Sequence, residues 1–193
     1  TLITTRDGGA TWQPQVSGIE SDLDSIHFTA DGRRGWAVGS RGTIIATTNG
    51  GSTWQPQDSG TQEWLLDITF ASDGQHGWAV GESGTILRRV DGVWSDVSIN
   101  TDQYLSRVRG SGKQDVWAVG DAGSVFHYDG TKFTEDLLDQ GGSSLWGVDD
   151  RVWSFGATTY RRSKGKWVVD GDTYGIGDMA GASGTDVWGL SNN

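Results

Sequence analysis

"GWAVG" stands at Gly35 to Gly39 and again at Gly77 to Gly81, and "VWAVG" follows at Val116 to Gly120. Two looser copies, "VWSFG" from Val152 and "VWGLS" from Val187, continue the series. The Trp residues fall at 36, 78, 117, 153 and 188, which gives spacings of 42, 39, 36 and 35. Large and small side chains alternate and a glycine closes four of the five copies, which read as strands whose backbone is approached closely by a neighbour.

A repeat of about 40 residues suits one four-stranded blade of a propeller. Aligning on the tryptophans recovers the other strands. Upstream lie "LDSIHF" from Leu23, "LLDITF" from Leu65, "LSRVRG" from Leu105, "LWGVDD" from Leu145 and "IGDMAG" from Ile176, read as innermost strands. Downstream come third strands such as "GTIIATT" from Gly42 and "GTILRRV" from Gly84, then fourth strands near Trp54, Trp94, Phe133 and Trp167. No ten-residue stretch combines helical periodicity with caps.

The first residues, "TLITTRDGGATW", match "TIIATTNGGSTW" position by position as a third strand entering a fourth. The fifth unit, at the other end, has only a first and a second strand. Counting from Trp188 to Asn193 and on from Thr1 to Trp36 gives 41, within the range of the other spacings. The expectation is therefore an all-β, five-bladed propeller of four-stranded antiparallel blades, closed by pairing N-terminal with C-terminal strands, since an open ring leaves sheet edges unpaired. Blade 1 is 20–57, blade 2 63–98, blade 3 104–138 and blade 4 144–170. Blade 5 is shared between 1–15 and 174–193, making one domain over 1–193. The rival is an arc of five repeats within a larger or oligomeric ring.

Composition agrees with short strands and tight turns: 31 Gly, 2 Pro and 11 Trp in 193 residues. A net charge of −10 argues against nucleic acid, whose binding draws on clustered Lys and Arg. The absence of Cys excludes a disulfide scaffold and Cys-ligated zinc. No stretch reads as a membrane span or signal peptide, so membrane insertion is not expected.

The opening motif, Thr5, Asp7, Gly9, Thr11 and Trp12, resembles that of the Asp-box propellers, the group of sialidases, bacterial Asp-box repeat proteins and photosystem II assembly-factor-like propellers. A second copy carries Asn49, Gly51 and Trp54, with Asn in place of Asp. In this motif a short carboxylate accepts backbone N–H bonds of its own turn, glycine supplies positive φ and Trp covers the hairpin. Asp7, Gly9, Trp12, Asn49, Gly51 and Trp54 are thus read as structural. The resemblance implies a turn on the face opposite the usual ligand face. The "WAVG" and "DG-x-x-W" elements also resemble repeats of large bacterial surface and secreted proteins, which implies an extracytoplasmic setting, whether periplasmic, secreted or cell-surface.

Function is expected where the innermost strands begin. Alignment places there 12 of the 25 acidic residues against few cations, a field that concentrates cationic partners. The ligand-binding candidates are Asp24, Trp64, Asp67, Tyr104, Arg107, Trp146 and Asp178. Equivalent positions vary from blade to blade (Ser25, Asp67, Arg107, Gly147, Asp178), which favours one asymmetric site over fivefold sugar binding. The expected activity is a non-enzymatic binding platform for a protein or peptide, as a monomer or as part of a larger chain or assembly. The alternatives are a carbohydrate-binding, lectin-like propeller and an Asp-box glycosidase; for the last, the arginine triad and the paired Tyr/Glu nucleophile that the resemblance would require are not matched. No catalytic residue and no cofactor are assigned. The weak metal candidate is "DGDTYG", where Asp170 and Asp172 stand before a glycine as in the start of a calcium loop, but without its later ligands.

Overall fold

The computed structural model describes residues 1–110, 114–139, 144–148, 151–155, 158–171, 176–183 and 186–191. Among them every regular element is a strand except for a single 3₁₀ turn at Asp121–Gly123. The chain opens with a hairpin, β1 (Leu2–Thr4) and β2 (Gln13–Gln15). Four antiparallel four-stranded sheets follow. The first holds β3 (Leu23–Phe28), β4 (Gly35–Gly39), β5 (Thr43–Thr47) and β6 (Gln55–Gln57); the second β7 (Leu65–Phe70), β8 (Gly77–Gly81), β9 (Ile86–Val90) and β10 (Val93–Asp96). The third holds β11 (Leu105–Gly110), β12 (Val116–Gly120), β13 (Ser124–Tyr128) and β14 (Phe133–Leu137); the fourth β15 (Ser144–Val148), β16 (Arg151–Phe155), β17 (Thr159–Ser163) and β18 (Lys166–Gly171). A last hairpin joins β19 (Ile176–Ser183) to β20 (Asp186–Ser191).

Each sheet runs in simple meander order, and neighbouring sheets meet along their first strands: β3 beside β7, β7 beside β11, β11 beside β15, β15 beside β19. The alternation within "GWAVG" sets the packing. Trp36 and Val38 face the next sheet, in a cluster with Leu65, Ile68, Phe70 and Leu87, while Ala37 faces the opposite way with Ile45 and Trp54. Trp78 and Val80 repeat this against Leu105 and Val108, and Trp117 and Val119 against Leu145 and Val152. The core is therefore a series of flat seams between sheets, each built around one repeat tryptophan.

A rule spans three of these seams. The third-strand residue opposite the position just before its own sheet's repeat Trp covers the repeat Trp of the preceding sheet: Arg89 lies 5.5 Å from the Trp36 ring, Tyr128 4.9 Å from Trp78 and Arg162 4.6 Å from Trp117. Cation–π and ring contacts thus do the same work at equivalent places. Phe70 adds a stacked contact with Trp36 at 3.6 Å.

The β1–β2 hairpin sits against the first sheet as a preceding blade's outer strands would, with Leu2 packed on the cluster of Ala37, Ile45 and Trp54. β1–β2 and β19–β20 form separate two-stranded sheets among the described residues. Phe28, the counterpart of Phe70, is accordingly 37% exposed where Phe70 is 5%. In the second sheet that position is covered by a tryptophan of the preceding one, Trp36.

Candidate functional site

The face where the innermost strands begin is assembled by backbone hydrogen bonds between loops. Ser40 N–H donates to the Asp22 carbonyl (3.0 Å) and Gly42 N–H to the Glu63 carbonyl (2.8 Å). In the next sheet Glu82 N–H donates to the Trp64 carbonyl (3.0 Å) and Gly84 N–H to the Gln103 carbonyl (2.8 Å). The loop between second and third strands is thereby tied to the connection entering a first strand. This close approach explains the last glycine of the repeat: a Cβ at Gly81 would lie 1.9 Å from the Trp64 carbonyl oxygen.

On this loop face the structure brings Trp64 and Asp24 together. The indole N–H of Trp64 donates to the Asp24 carboxylate at 2.6 Å, across the seam between the first two sheets. Trp64 remains 38% exposed, and Tyr104, at the same register point of the next sheet, is 49% exposed. Asp22, Asp24, Asp58, Glu63 and Asp102 are also exposed in the loops and strand starts of this face. The pairing joins residues 40 apart, so only the fold reveals it.

Asp67 takes a different place from the open rim expected of it. It is buried, and its carboxylate accepts from the Ser25 hydroxyl (2.7 Å), the Val108 backbone N–H (3.0 Å) and Arg109 Nη1 (2.7 Å). One side chain thus links the innermost strands of three consecutive sheets. The physical reason is a bulge: the register of β7 on β8 shifts between Leu65 and Asp67, and β3 and β11 shift at the same point, so Asp67 stands opposite Val80. Arg109, absent from the sequence-based set, supplies the cation, while Arg107 donates to the Ser106 carbonyl (2.8 Å). His27 lies near this network; burial, then the Arg109 charge, holds its imidazole below the usual value, with Asp67 opposing.

The remaining candidates are dispersed. Trp146 is half-buried and packs on Trp153 with ring centres 5.2 Å apart. Asp178 stands opposite Leu190 in the β19–β20 pairing, and its side chain lies outside the described residues. Asp170 accepts from the Trp153 indole N–H and from Arg161 Nε, both at 3.1 Å, so its oxygens serve the fourth sheet; Asp172 lies outside the described residues. Among the described residues no three metal-ligating side chains gather.

The opening turn has the hydrogen bonds its sequence calls for. Asp7 accepts from the Thr11 N–H (2.9 Å), the Thr11 hydroxyl (2.7 Å) and the Thr5 hydroxyl (2.8 Å). These bonds, those from Thr11 first, hold its carboxyl down at about 2. Asn49 reproduces the arrangement, accepting from Thr53 N–H (3.0 Å) and donating to the Thr53 hydroxyl (2.9 Å). Gly9 and Gly51 have the positive φ the turn requires. The two tryptophans differ. Trp54 is 6% exposed, edge-on to Phe28 of its own sheet's first strand, whereas Trp12, in a hairpin with no first strand in its sheet among the described residues, is 57% exposed.

No protein-family model matches the chain, and no curated protein matches it in sequence. Solved structures match in fold. YCF48 from Cyanidioschyzon merolae superposes with a TM-score of 0.64 at 19% identity, over 88% of this chain and 64% of that one. A YCF48 bound to D1 peptide gives 0.67 at 18% identity, over 89% and 61%. A virginiamycin B lyase from Staphylococcus aureus gives 0.70 at 15% identity, over 92% and 66%. The fold is thus that of the β-propellers, and this chain spans about three fifths of the length of the YCF48 chains. Binding proteins and enzymes both occur among these neighbours, so fold alone does not separate the two.

Proposed function

We propose that the chain is a non-enzymatic, extracytoplasmic binding propeller that holds a cationic protein or peptide segment on its loop face. The observation that carries this reading is the part-exposed indole of Trp64, fixed by Asp24 on a face where the loops carry exposed carboxylates. A ring whose N–H is already bonded to a carboxylate is pre-oriented, and its face is free for an apolar or cationic side chain. Tyr104 offers a second aromatic surface one sheet away, and the surrounding carboxylates steer the partner. The YCF48 structure with bound D1 peptide supports a peptide ligand by analogy of fold.

The ring is proposed to be closed, with β20 alongside β1. The exposed ring of Phe28 supports closure, since Trp188 holds in β20 the repeat position that Trp36 holds in β4.

The test is titration of an Arg/Lys-rich peptide library at low and high salt, against the native protein and Trp64→Ala. Binding should weaken at least tenfold in the variant and fall with added salt. Salt-insensitive binding of neutral sugars, lost in Trp64→Ala, would replace the peptide reading with the carbohydrate one.

A further inference from the structure

Among the described residues five indole N–H groups are given an oxygen, whereas those of Trp36 and Trp54 are buried without one. Trp64 donates to Asp24, Trp94 to Gln57, Trp117 to Asp115, Trp153 to Asp170 and Trp167 to Asp136. In the third and fourth sheets the carboxylate is shared with the third strand. Asp115 accepts from Trp117 (3.0 Å) and His127 Nε2 (2.7 Å), while Asp170 accepts from Trp153 and Arg161. Two different chain positions supply the same chemistry: one carboxylate beneath a repeat Trp and a basic side chain.

The first sheet lacks it. Two residues before Trp117 stands Asp115; two residues before Trp36 stands Arg34. Trp36 is buried and its Nε1 has no hydrogen-bond partner. Over its ring lies Arg89, whose Nε and Nη1 are also buried without a partner. Arg162 leaves its Nε likewise against the Trp117 ring, so an unpartnered guanidinium N–H over an indole is not itself unusual. What sets the first seam apart is the unsatisfied indole together with a second cation. Arg34 crosses the seam to donate to the carbonyls of Asp73 (3.0 Å) and Gly74 (3.3 Å), and neither it nor Arg89 makes an ion pair among the described residues.

Nearby carboxylates are occupied or out of bonding range. Asp31 accepts from the Thr29 hydroxyl (2.6 Å) and Arg33 N–H (3.0 Å); Asp73 accepts from Gln75 N–H (2.8 Å) and His76 Nδ1 (2.7 Å). Asp91 is close enough to favour the Arg89 charge without bonding to it, and burial and Arg34 pull the other way. Buried donors without acceptors are costly, and a guanidinium pair without a counter-charge adds repulsion.

We propose that the turn face at this first seam is a carboxylate-binding site, where Arg34 and Arg89 hold an acidic side chain of a partner peptide beside the unsatisfied indole of Trp36. The ligand supplies from outside what Asp115 and Asp170 supply from within. Arg is suited to it, since its planar fork meets a carboxylate with two parallel bonds. This surface lies opposite the loop face and does not depend on the peptide reading given above.

The experiment titrates the peptide Ac-Glu-Glu-Glu-amide into ¹⁵N-labelled protein at constant ionic strength, following the Trp36 indole and Arg89 Nε–H resonances. Inorganic phosphate is the parallel arm. Both resonances should move saturably with the peptide, and Arg89→Met should weaken the effect at least tenfold. Arg34→Asp, which places an internal carboxylate where the third sheet has Asp115, should shift the Trp36 resonance without ligand and abolish the peptide response. Should Arg89→Met fold poorly, Arg34→Asp alone decides. Unmoved resonances, an undiminished response in Arg34→Asp, or equal shifts with phosphate would each overturn the assignment. Basic-peptide binding at Trp64 should be unchanged in Arg34→Asp, which separates the two sites.

Discussion

At the residue scale Asp67 ties three sheets together. A buried carboxylate that accepts a hydroxyl, a backbone N–H and a guanidinium from two other sheets is a fastening, and removing its charge leaves Arg109 without a counter-ion. Asp67→Asn should cost about 3 kcal/mol, discounted for the partial exposure of Arg109. In a chain of this size that lowers Tm by about 6–12 °C in a thermal melt. A Tm within 1–2 °C of the native protein would show that the network contributes little. Sequence placed Asp67 in the right strand and at the right end of it, but not its direction. That depends on a bulge, which period-two alternation does not predict, and on Arg109, 42 residues away, which nothing in the local pattern connects to it. Trp64 shows the reverse case: its exposure followed from its place just before a first strand, and only its partner Asp24 was hidden.

At the element scale the opening turn differs from its second copy in one titratable group. The Asp7 carboxyl lies at about 2 in the folded chain against an ordinary 3.8, so it stabilises the hairpin fully above about pH 4. That contribution is lost as pH falls from 3.8 through about 2, because the unfolded chain then binds a proton that the folded one resists. Asn49 carries no such dependence. We expect hydrogen exchange at Gly9 and Thr11 to accelerate relative to Gly51 and Thr53 across that window, and Asp7→Asn to remove the difference; parallel behaviour of both turns would refute it. The hydrogen bonds of the turn were legible in sequence, because every one joins residues at most four apart, whereas the exposure of Trp12 was not. The four complete sheets were legible for another reason: the repeat tryptophan fixes the strand phase, and its burial in the seams is what keeps the repeat in register.

At the scale of the whole molecule, the proposed closure rests on one seam. If β20 completes the blade that β1 and β2 begin, Phe28 should behave energetically as Phe70 does. A double-mutant cycle of Phe28→Ala and Trp188→Ala should show a coupling of about 1 kcal/mol, while independent effects would indicate an open arc. In sequence, closure is legible only in the match of the opening residues to a third and fourth strand and in the spacing of 41 across the chain ends; the curvature summed over every seam, which decides it, has no local pattern. The rule that governs those seams has a further implication. Because one residue over the repeat Trp in these three seams belongs to the following sheet, as Arg89, Tyr128 and Arg162 do, part of each sheet's compatibility is read from the next one along the chain. Duplicating a blade would keep both outer junctions and create one new seam, where the residue over the repeat Trp is the first side chain that has to be matched.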